Sequence, residues 1–408
     1  MGSRQIARKR RRQIMAYFTT QPNAGRHFLQ IPGPSNVPDR VLRAMDNPTM
    51  DHRGPDFGIL GLKVLANLKR VFKTSHPVMV FPASGTGAWE AALVNTLSPG
   101  DAVLMCRTGW FAHLWREMAE RLGLKPEFID TDWRRGADVA AISAALMADK
   151  SHRIKAVAVV HNETSTGCFS DIAAVRAAMD AAGHPALLLV DTISGLGSID
   201  YRHEEWGVDV TISGSQKGLM LPPGLSFNAI SPKALAASKA VKTQRSYWDW
   251  GPMLASNETG YFPSTPATNL LYALDTALDM ILAEGLEPIF ARHDRHAEAT
   301  RRAVRRWGLE IQCTDPQAYS SVLTAVRVPE GHSADGLRAT ILEKFNMSLG
   351  NGLGQLKDRV FRIGHLGELS DLQLVGTIGG VEMGLRAAGI PHEAGGTQAA
   401  MDYLCGNA

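Results

Sequence analysis

The chain has 408 residues, 45% of them hydrophobic, which is more than one ordinary compact domain holds and enough for a large core. No uninterrupted apolar run approaches the roughly 18 residues needed to span a bilayer, which argues against a membrane-embedded protein. The net charge of +3 comes from one end: Arg4, Arg8, Lys9, Arg10, Arg11 and Arg12 lie in the first fifteen residues without an acid, and without them 37 basic residues face 40 acidic ones, a mildly acidic body with no broad footprint for nucleic acid.

The basic tip has three readings: an upstream start or expression remnant before Met15, an Arg-rich targeting peptide, or an arm for nucleic acid. From Leu29 to about Ala283, short apolar runs alternate with alanine-rich helical stretches, the pattern of an α/β protein with a mostly parallel sheet covered by helices. In chain order the strands are "PVMVFP", "DAVLMC", "KAVAVVHN", "ALLLVD", "DVTISGS" and "LSFNAIS", and the helices between them include "GAWEAALVNTL", "AHLWREMAERLGL" and "DIAAVRAAMDAAG". In "DVTISGS" the apolar Val208, Val210 and Ile212 alternate with Asp209, Thr211 and Ser213, which reads as a strand with one buried face. A long helix over about 270–283 and the stretch "EGLEPIFARHDRHAEATRRAVRRWGL" lead into a smaller α+β region with strands "YSSVLTAVRVP" and "RVFRIGHLG". The domains expected are therefore a basic extension and arm at 1–28, a large domain at 29–283, a small domain at 284–393 and a tail at 394–408. Cys106, Cys168, Cys313 and Cys405 are widely spaced without a CxxC pair, which points to a reducing compartment rather than a zinc site or a disulfide framework.

In parallel sheets ligands gather where strands end. After "VMVFPA" come Ser84, Gly85, Thr86 and Gly87 at the start of a helix, small residues that leave backbone N–H groups and the positive end of a helix dipole open to a phosphate, or that form a plain N-cap. No GxxxxGK[ST] pattern follows, so a nucleotide-hydrolysing P-loop is disfavoured. Asp191 closes "LLLVD", where it either caps the next turn or holds a protonated ring nitrogen. Lys217 follows "DVTISGS", as a solvated loop lysine or as the amine that binds a carbonyl cofactor and shuttles a proton. Phosphate cradle, acid and lysine at three strand ends are the parts that pyridoxal 5'-phosphate requires.

The set "FPASGTGAWEAAL", "HNETSTG", "VDTISGLGS", "GSQKGLMLPPGL", "STPAT" and "FRIGHLG", with "IPGPSNVPDRV" from Ile31, resembles the class V, fold type I aminotransferases, nearest to serine–glyoxylate and alanine–glyoxylate aminotransferases. The resemblance extends in family order to about residue 390. It implies a large, mostly parallel seven-stranded sheet domain, pyridoxal 5'-phosphate as cofactor, an amino acid and glyoxylate as small-molecule substrates, and a cytoplasmic homodimer or tetramer with shared active sites. Lys217 would be the Schiff-base lysine and Asp191 the partner of the pyridine nitrogen. Ser84, Gly85, Thr86 and Gln216 would hold the phosphate, with Ile193 beneath the ring and Thr164 near its phenolic oxygen. The stacking aromatic in "TGWFAH" would be Phe111, with Trp110 adjacent. Thr265 would reach a neighbouring subunit's phosphate. Where mammalian-type members have a phosphate-contacting tyrosine this chain has Phe262, so either the adjacent Tyr261 supplies the hydroxyl after a local shift or that contact is missing. Arg362 would clamp the substrate carboxylate, and His52, Arg53 and His365 would border the substrate entrance or serve as structural groups. L-serine is the favoured donor, with alanine, aspartate or ureidoglycine as alternatives. A cysteine desulfurase-like lyase, with Cys313 as nucleophile, is the remote one.

Overall fold

The computed structural model describes residues 25–406; the basic tip, and with it the three readings above, lies outside them. A seven-stranded sheet forms the centre, in the spatial order Val78–Phe81, Ser226–Ile230, Val210–Gly214, Leu187–Asp191, Ile154–Val160, Ala102–Arg107 and Lys125–Asp130. Only Ser226–Ile230 runs antiparallel to its neighbours. Six of these strands were the apolar runs of the sequence. The seventh, Lys125–Asp130, lacks a buried face, because it is an edge strand paired only with Ala102–Arg107. Pro126 is tolerated there because an edge strand leaves one row of backbone groups unpaired.

Alternate residues of the inner strands face two separate cores. Val80, Leu104, Val157, Leu188 and Val190 pack with Val64 and Leu68 of the helix Pro55–Val71 and with the helices Ile172–Ala181 and Thr268–Glu284. Met79, Val103, Met105, Leu189, Val210 and Ile212 pack on the other side with the helices Gly85–Thr96 and Trp110–Arg121. Each such aliphatic side chain taken wholly out of water contributes about 1.5–3 kcal/mol.

Burial on both faces corrects the reading of residues 208–213 as a strand with a single buried face. Its polar residues are also buried, and Thr211 and Asp209 are satisfied inside the protein, whereas the Ser213 hydroxyl has no hydrogen-bond partner among the described residues. Thr211 Oγ1 bonds to Tyr201 Oη (2.6 Å) and His203 Nδ1 (2.7 Å), and Asp209 accepts from Leu188 N (2.8 Å) and Ser231 Oγ (2.8 Å). An alternation of apolar and small polar residues is compatible with two buried faces when most of the buried polar groups find partners.

At Gly285, whose φ of 89° suits glycine, the chain turns from Thr268–Glu284 into the helix Leu286–Arg306. A second, five-stranded sheet follows in the order Phe28–Gln30, Met347–Asn351, Val360–Gly364, Leu323–Arg327 and Glu310–Ile311. Phe28–Gln30 runs parallel to Met347–Asn351, so the beginning of the described chain shares a sheet with its C-terminal third. The final helix, Gly396–Leu404, is tied to Leu286–Arg306 by the Arg295 guanidinium, which donates to Leu404 O at 3.0 Å, and by Arg302 over the Tyr403 ring at 4.4 Å. Among the described residues no helix is long and apolar enough to cross a membrane.

Candidate active site

A cleft of about 490 Å³ opens at the carboxyl ends of the central strands. Nine of the residues singled out from the sequence line it together: Ser84, Gly85 and Thr86 from one helix start, Phe111 from another, Thr164, then Asp191 with Ile193, and Gln216 with Lys217. They are separated by up to 133 residues in sequence and meet because each follows the end of a strand of one sheet.

Ser84 is the N-cap residue of Gly85–Thr96, yet its side chain makes no cap bond and the first turn carries no acid. Every other serine or aspartate at a helix N-cap among the described residues does cap its helix: Asp138, Asp171, Ser231, Asp249, Asp315, Ser333 and Ser370. The Gly85 and Thr86 amides of this turn are left for an anion, while Gly87 N donates to Ser84 O at 2.9 Å, and the dipole favours negative charge. Around Gly214 the walls converge: a Cβ there would stand 3.1 Å from Gln216 Oε1, 3.6 Å from Gly85 N and 3.6 Å from Ile193 Cγ2. Gln216 Oε1 is buried without a hydrogen-bond partner among the described residues.

Asp191 is buried beneath the cleft. Its carboxylate accepts from Ile193 N (2.7 Å) and from Trp89 Nε1 (2.9 Å). Burial nevertheless pushes it up to about 7, the two donors opposing and the nearby Glu163 adding to the rise. A cation brought beside it would compensate that cost, as buried carboxylates require a partner. Lys217 Nζ donates to Pro32 O at 2.6 Å; burial, then the charge of Arg362, depress its amine to about 7, against the pull of Asp191. A lysine so tuned has a neutral fraction near neutral pH and can both take and return a proton.

Arg362 lies 6% exposed on Val360–Gly364, with Nε donating to Asn351 O (2.8 Å) and Nη1 to Thr164 O (2.7 Å). Burial lowers it to about 10, and among the described residues no carboxylate pairs with it. Thr164 thereby joins the guanidinium to the cleft, and its own Oγ1 bonds to Ser194 Oγ at 2.8 Å. Glu163 sits behind them, wholly buried, accepting from Ala112 N (3.1 Å), Ser165 N (3.0 Å) and Ser165 Oγ (2.6 Å), with Phe111 N at 3.4 Å. It anchors the turn that presents Phe111, and burial raises its carboxyl. Trp110 turns elsewhere, against His113 and the Gly354 turn.

The other sequence candidates lie outside this cleft. Thr265 lines a separate pocket with Phe262 and Tyr247. Tyr261 donates to Gly54 O (3.2 Å) and packs near Phe57, and Arg53 is exposed beside His52. His365 is committed to Thr324 Oγ1 (3.0 Å) and Ser321 O (3.1 Å), the structural alternative of its two readings. Cys313 is buried against Cys168 and Ala318, its thiol donating to Ala318 O at 3.4 Å. Sequence reading missed Trp89, Asn162, Ser194 and the Pro32 carbonyl. Trp89 alone left a trace, four residues into the helix that begins at Gly85 and facing the same strand ends.

Taken with the sheet order, a lysine, an acid and a bare helix start at neighbouring strand ends define the fold type I class of pyridoxal-phosphate enzymes. Within that class the pattern of the class-V aminotransferases matches residues 27–353. A serine–glyoxylate aminotransferase of Hyphomicrobium methylovorum is 48% identical over 384 residues, covering 93% of this chain and 95% of the relative. An L-aspartate–glyoxylate aminotransferase of Paracoccus denitrificans is 46% identical over 375 residues, covering 91% and 95%. Among solved structures, ureidoglycine–glyoxylate aminotransferase from Bacillus subtilis superposes with a TM-score of 0.87 at 28% identity, covering 94% of this chain and all of the other. The chain belongs to the class V aminotransferases.

Proposed function

We propose that this enzyme carries pyridoxal 5'-phosphate in the cleft and moves the amino group of L-serine to glyoxylate, forming hydroxypyruvate and glycine. The observation that carries the reading is the buried guanidinium of Arg362, paired with no carboxylate among the described residues and bonded to the carbonyl of the cleft residue Thr164, together with the depressed amine of Lys217 in that cleft. Such a guanidinium calls for an anion from outside, and its planar fork suits an α-carboxylate. When bound, the cofactor supplies an electron sink for the bond broken at Cα.

The protein's own groups do the rest. The Gly85 and Thr86 amides with Ser84 and Gln216 would receive the phosphate, Asp191 would keep the ring nitrogen positive, and Phe111 and Ile193 would pack against the ring. Lys217 holds the cofactor at rest and carries the Cα proton once its amine is released, while Arg362 and Thr164 orient the substrate. Thr265, on the wall of a pocket outside the cleft of its own chain, serves a neighbouring subunit, so the working form is a homodimer or a larger assembly of such dimers, while the Tyr261 hydroxyl is engaged by Gly54 O. The four cysteines are unpaired and three are buried, in keeping with a reducing cytoplasmic compartment.

Serine is preferred as donor because relatives of that specificity share close to half of this sequence; aspartate, alanine and ureidoglycine are the competing donors. The lyase reading loses its nucleophile, since Cys313 is 2% exposed and packed outside the cleft. The test is the first half-reaction with each amino acid separately, followed by recovery with glyoxylate. Fastest conversion by L-serine supports the proposal; a larger kcat/KM with L-aspartate or L-alanine refutes the donor assignment.

A further inference from the structure

The contact between Lys217 Nζ and Pro32 O has no part in the site as derived so far, and the surroundings of that carbonyl are specific. Gly33 N–H donates to Ile31 O at 2.7 Å, closing a three-residue turn centred on Pro32. The proline ring holds φ close to the value such a turn needs, which fixes where the Pro32 carbonyl points. Gly33 follows with φ at 90°, and a Cβ there would lie 2.3 Å from Lys217 Cδ and 2.5 Å from Nζ. A glycine is what allows the lysine to lie along the turn.

The same segment grips the lysine's backbone. Ser35 N donates to Gln216 O (3.0 Å) and Ser35 Oγ to Lys217 O (2.9 Å). On its other side it is pressed against the sheet that carries Arg362. A Cβ on Gly364 would meet Ile31 O at 2.3 Å, and one on Gly350 would meet Pro32 Cδ at 2.7 Å and Arg362 Cβ at 3.0 Å. The segment Ile31 to Ser35 thus touches both the lysine and the sheet that carries Arg362, and it is continuous with the strand Phe28–Gln30 of that sheet.

We propose that the Ile31–Gly33 turn is a positioning element for Lys217, its Pro32 carbonyl receiving the lysine amine whenever that amine is free and holding it in register with the Arg362 clamp. The proposal rests on the reading of Lys217 as the proton carrier. A carbonyl suits the task better than an acid. It accepts one N–H from the neutral amine and leaves the lone pair free to take a proton, and it accepts equally from the ammonium without binding it as an ion pair would. A lysine side chain left loose would spend most of its time in unproductive rotamers.

Pro32→Ala frees the turn while keeping the carbonyl, and Gly33→Ala inserts a methyl into the lysine's path. In the loaded enzyme, Pro32→Ala is expected to lower kcat with L-serine about tenfold at unchanged KM, with a larger isotope effect from α-deuterated serine; Gly33→Ala is expected to lower it a hundredfold or more. In the cofactor-free full-length protein, the pH profile for acetylation of Lys217 by acetic anhydride, read by peptide mass spectrometry, is expected to shift in Pro32→Ala at an unchanged thermal midpoint. Native kcat, isotope effect and acetylation profile in Pro32→Ala overturn the proposal, as does a change confined to KM; Pro32→Ala decides alone should Gly33→Ala fail to fold. Lys217→Ala separates the two levels. If it still turns over at the native rate, the proton-carrier reading has failed, whereas a Lys217→Ala slowed by several orders of magnitude beside a native Pro32→Ala refutes only the turn.

Discussion

Trp89→Phe tests how Asp191 is held. The indole Nε1–H gives the carboxylate one of its two hydrogen bonds, at 2.9 Å, while the indole ring stacks on Trp115 with centroids 5.9 Å apart. Phenylalanine keeps an aromatic ring in that stack and deletes only the donor. A hydrogen bond to a charged group contributes roughly 1.5–3 kcal/mol, and one pH unit of acidity corresponds to about 1.4 kcal/mol. Losing the bond should therefore raise Asp191, already at about 7 through burial, by roughly one to two pH units. A larger share of the carboxyl is then protonated at neutral pH and cannot hold a positive ring nitrogen. The expected result is a cofactor dissociation constant about three- to thirtyfold larger at pH 7.5, the factor by which the ionised share of the carboxyl falls, recovering as the pH is raised. Equilibrium dialysis against pyridoxal 5'-phosphate between pH 6.5 and 9.5 measures it. Native affinity with a native pH profile would refute the assignment of Asp191 to the ring nitrogen, because its acidity could not then matter to binding.

Two further outcomes follow from the same geometry. Arg362→Lys keeps a positive charge and loses the fork along with the bonds to Asn351 O and Thr164 O; KM for the amino donor should rise by about thirty- to a hundredfold, corresponding to roughly 2–3 kcal/mol, with a smaller change in kcat, as steady-state kinetics would report. His293 is fully buried, with Nδ1 against Ile289 O (2.8 Å) and Nε2 accepting from Gly367 N (3.1 Å), and burial lowers it from 6.5 to about 3. Its stabilising contribution is therefore complete above pH 6.5 and is lost as the pH falls toward 3, since the unfolded chain takes up the proton first. Between pH 7.5 and 5.5 this costs the native protein about 1.4 kcal/mol that His293→Gln does not lose. In urea unfolding the gap between the two should narrow by that amount, and a constant gap would show that His293 does not titrate on unfolding.

Much of this site could be read before any coordinates, because fold type I chemistry sits at strand ends and strand ends are marked by where apolar runs stop. Asp191 and Lys217 each follow such a run directly, and Ser84 to Gly87 stand between one and a helix. The edge strand Lys125–Asp130 could not be read in that way, since a strand with one neighbour and no buried face has no apolar period. The three-residue strand Phe28–Gln30 is too short for a period and is fixed by its distant partner Met347–Asn351. Trp89 and Ser194 act through directions that only the packed sheet sets, and Pro32 acts through a carbonyl, which every residue has. The burial of Thr211 and Asp209 was hidden for a related reason: their partners Tyr201, His203 and Ser231 come from loops outside the strand.

The most direct test of the account is the pair of half-reactions followed in native protein and in Lys217→Ala, both loaded with pyridoxal 5'-phosphate. L-serine should discharge the visible absorbance of the native enzyme and glyoxylate should restore it, with hydroxypyruvate and glycine formed in equal amounts, while Lys217→Ala should be slowed by several orders of magnitude. A Lys217→Ala protein that converts serine at the native rate, or a native protein whose absorbance no amino acid alters, would contradict it.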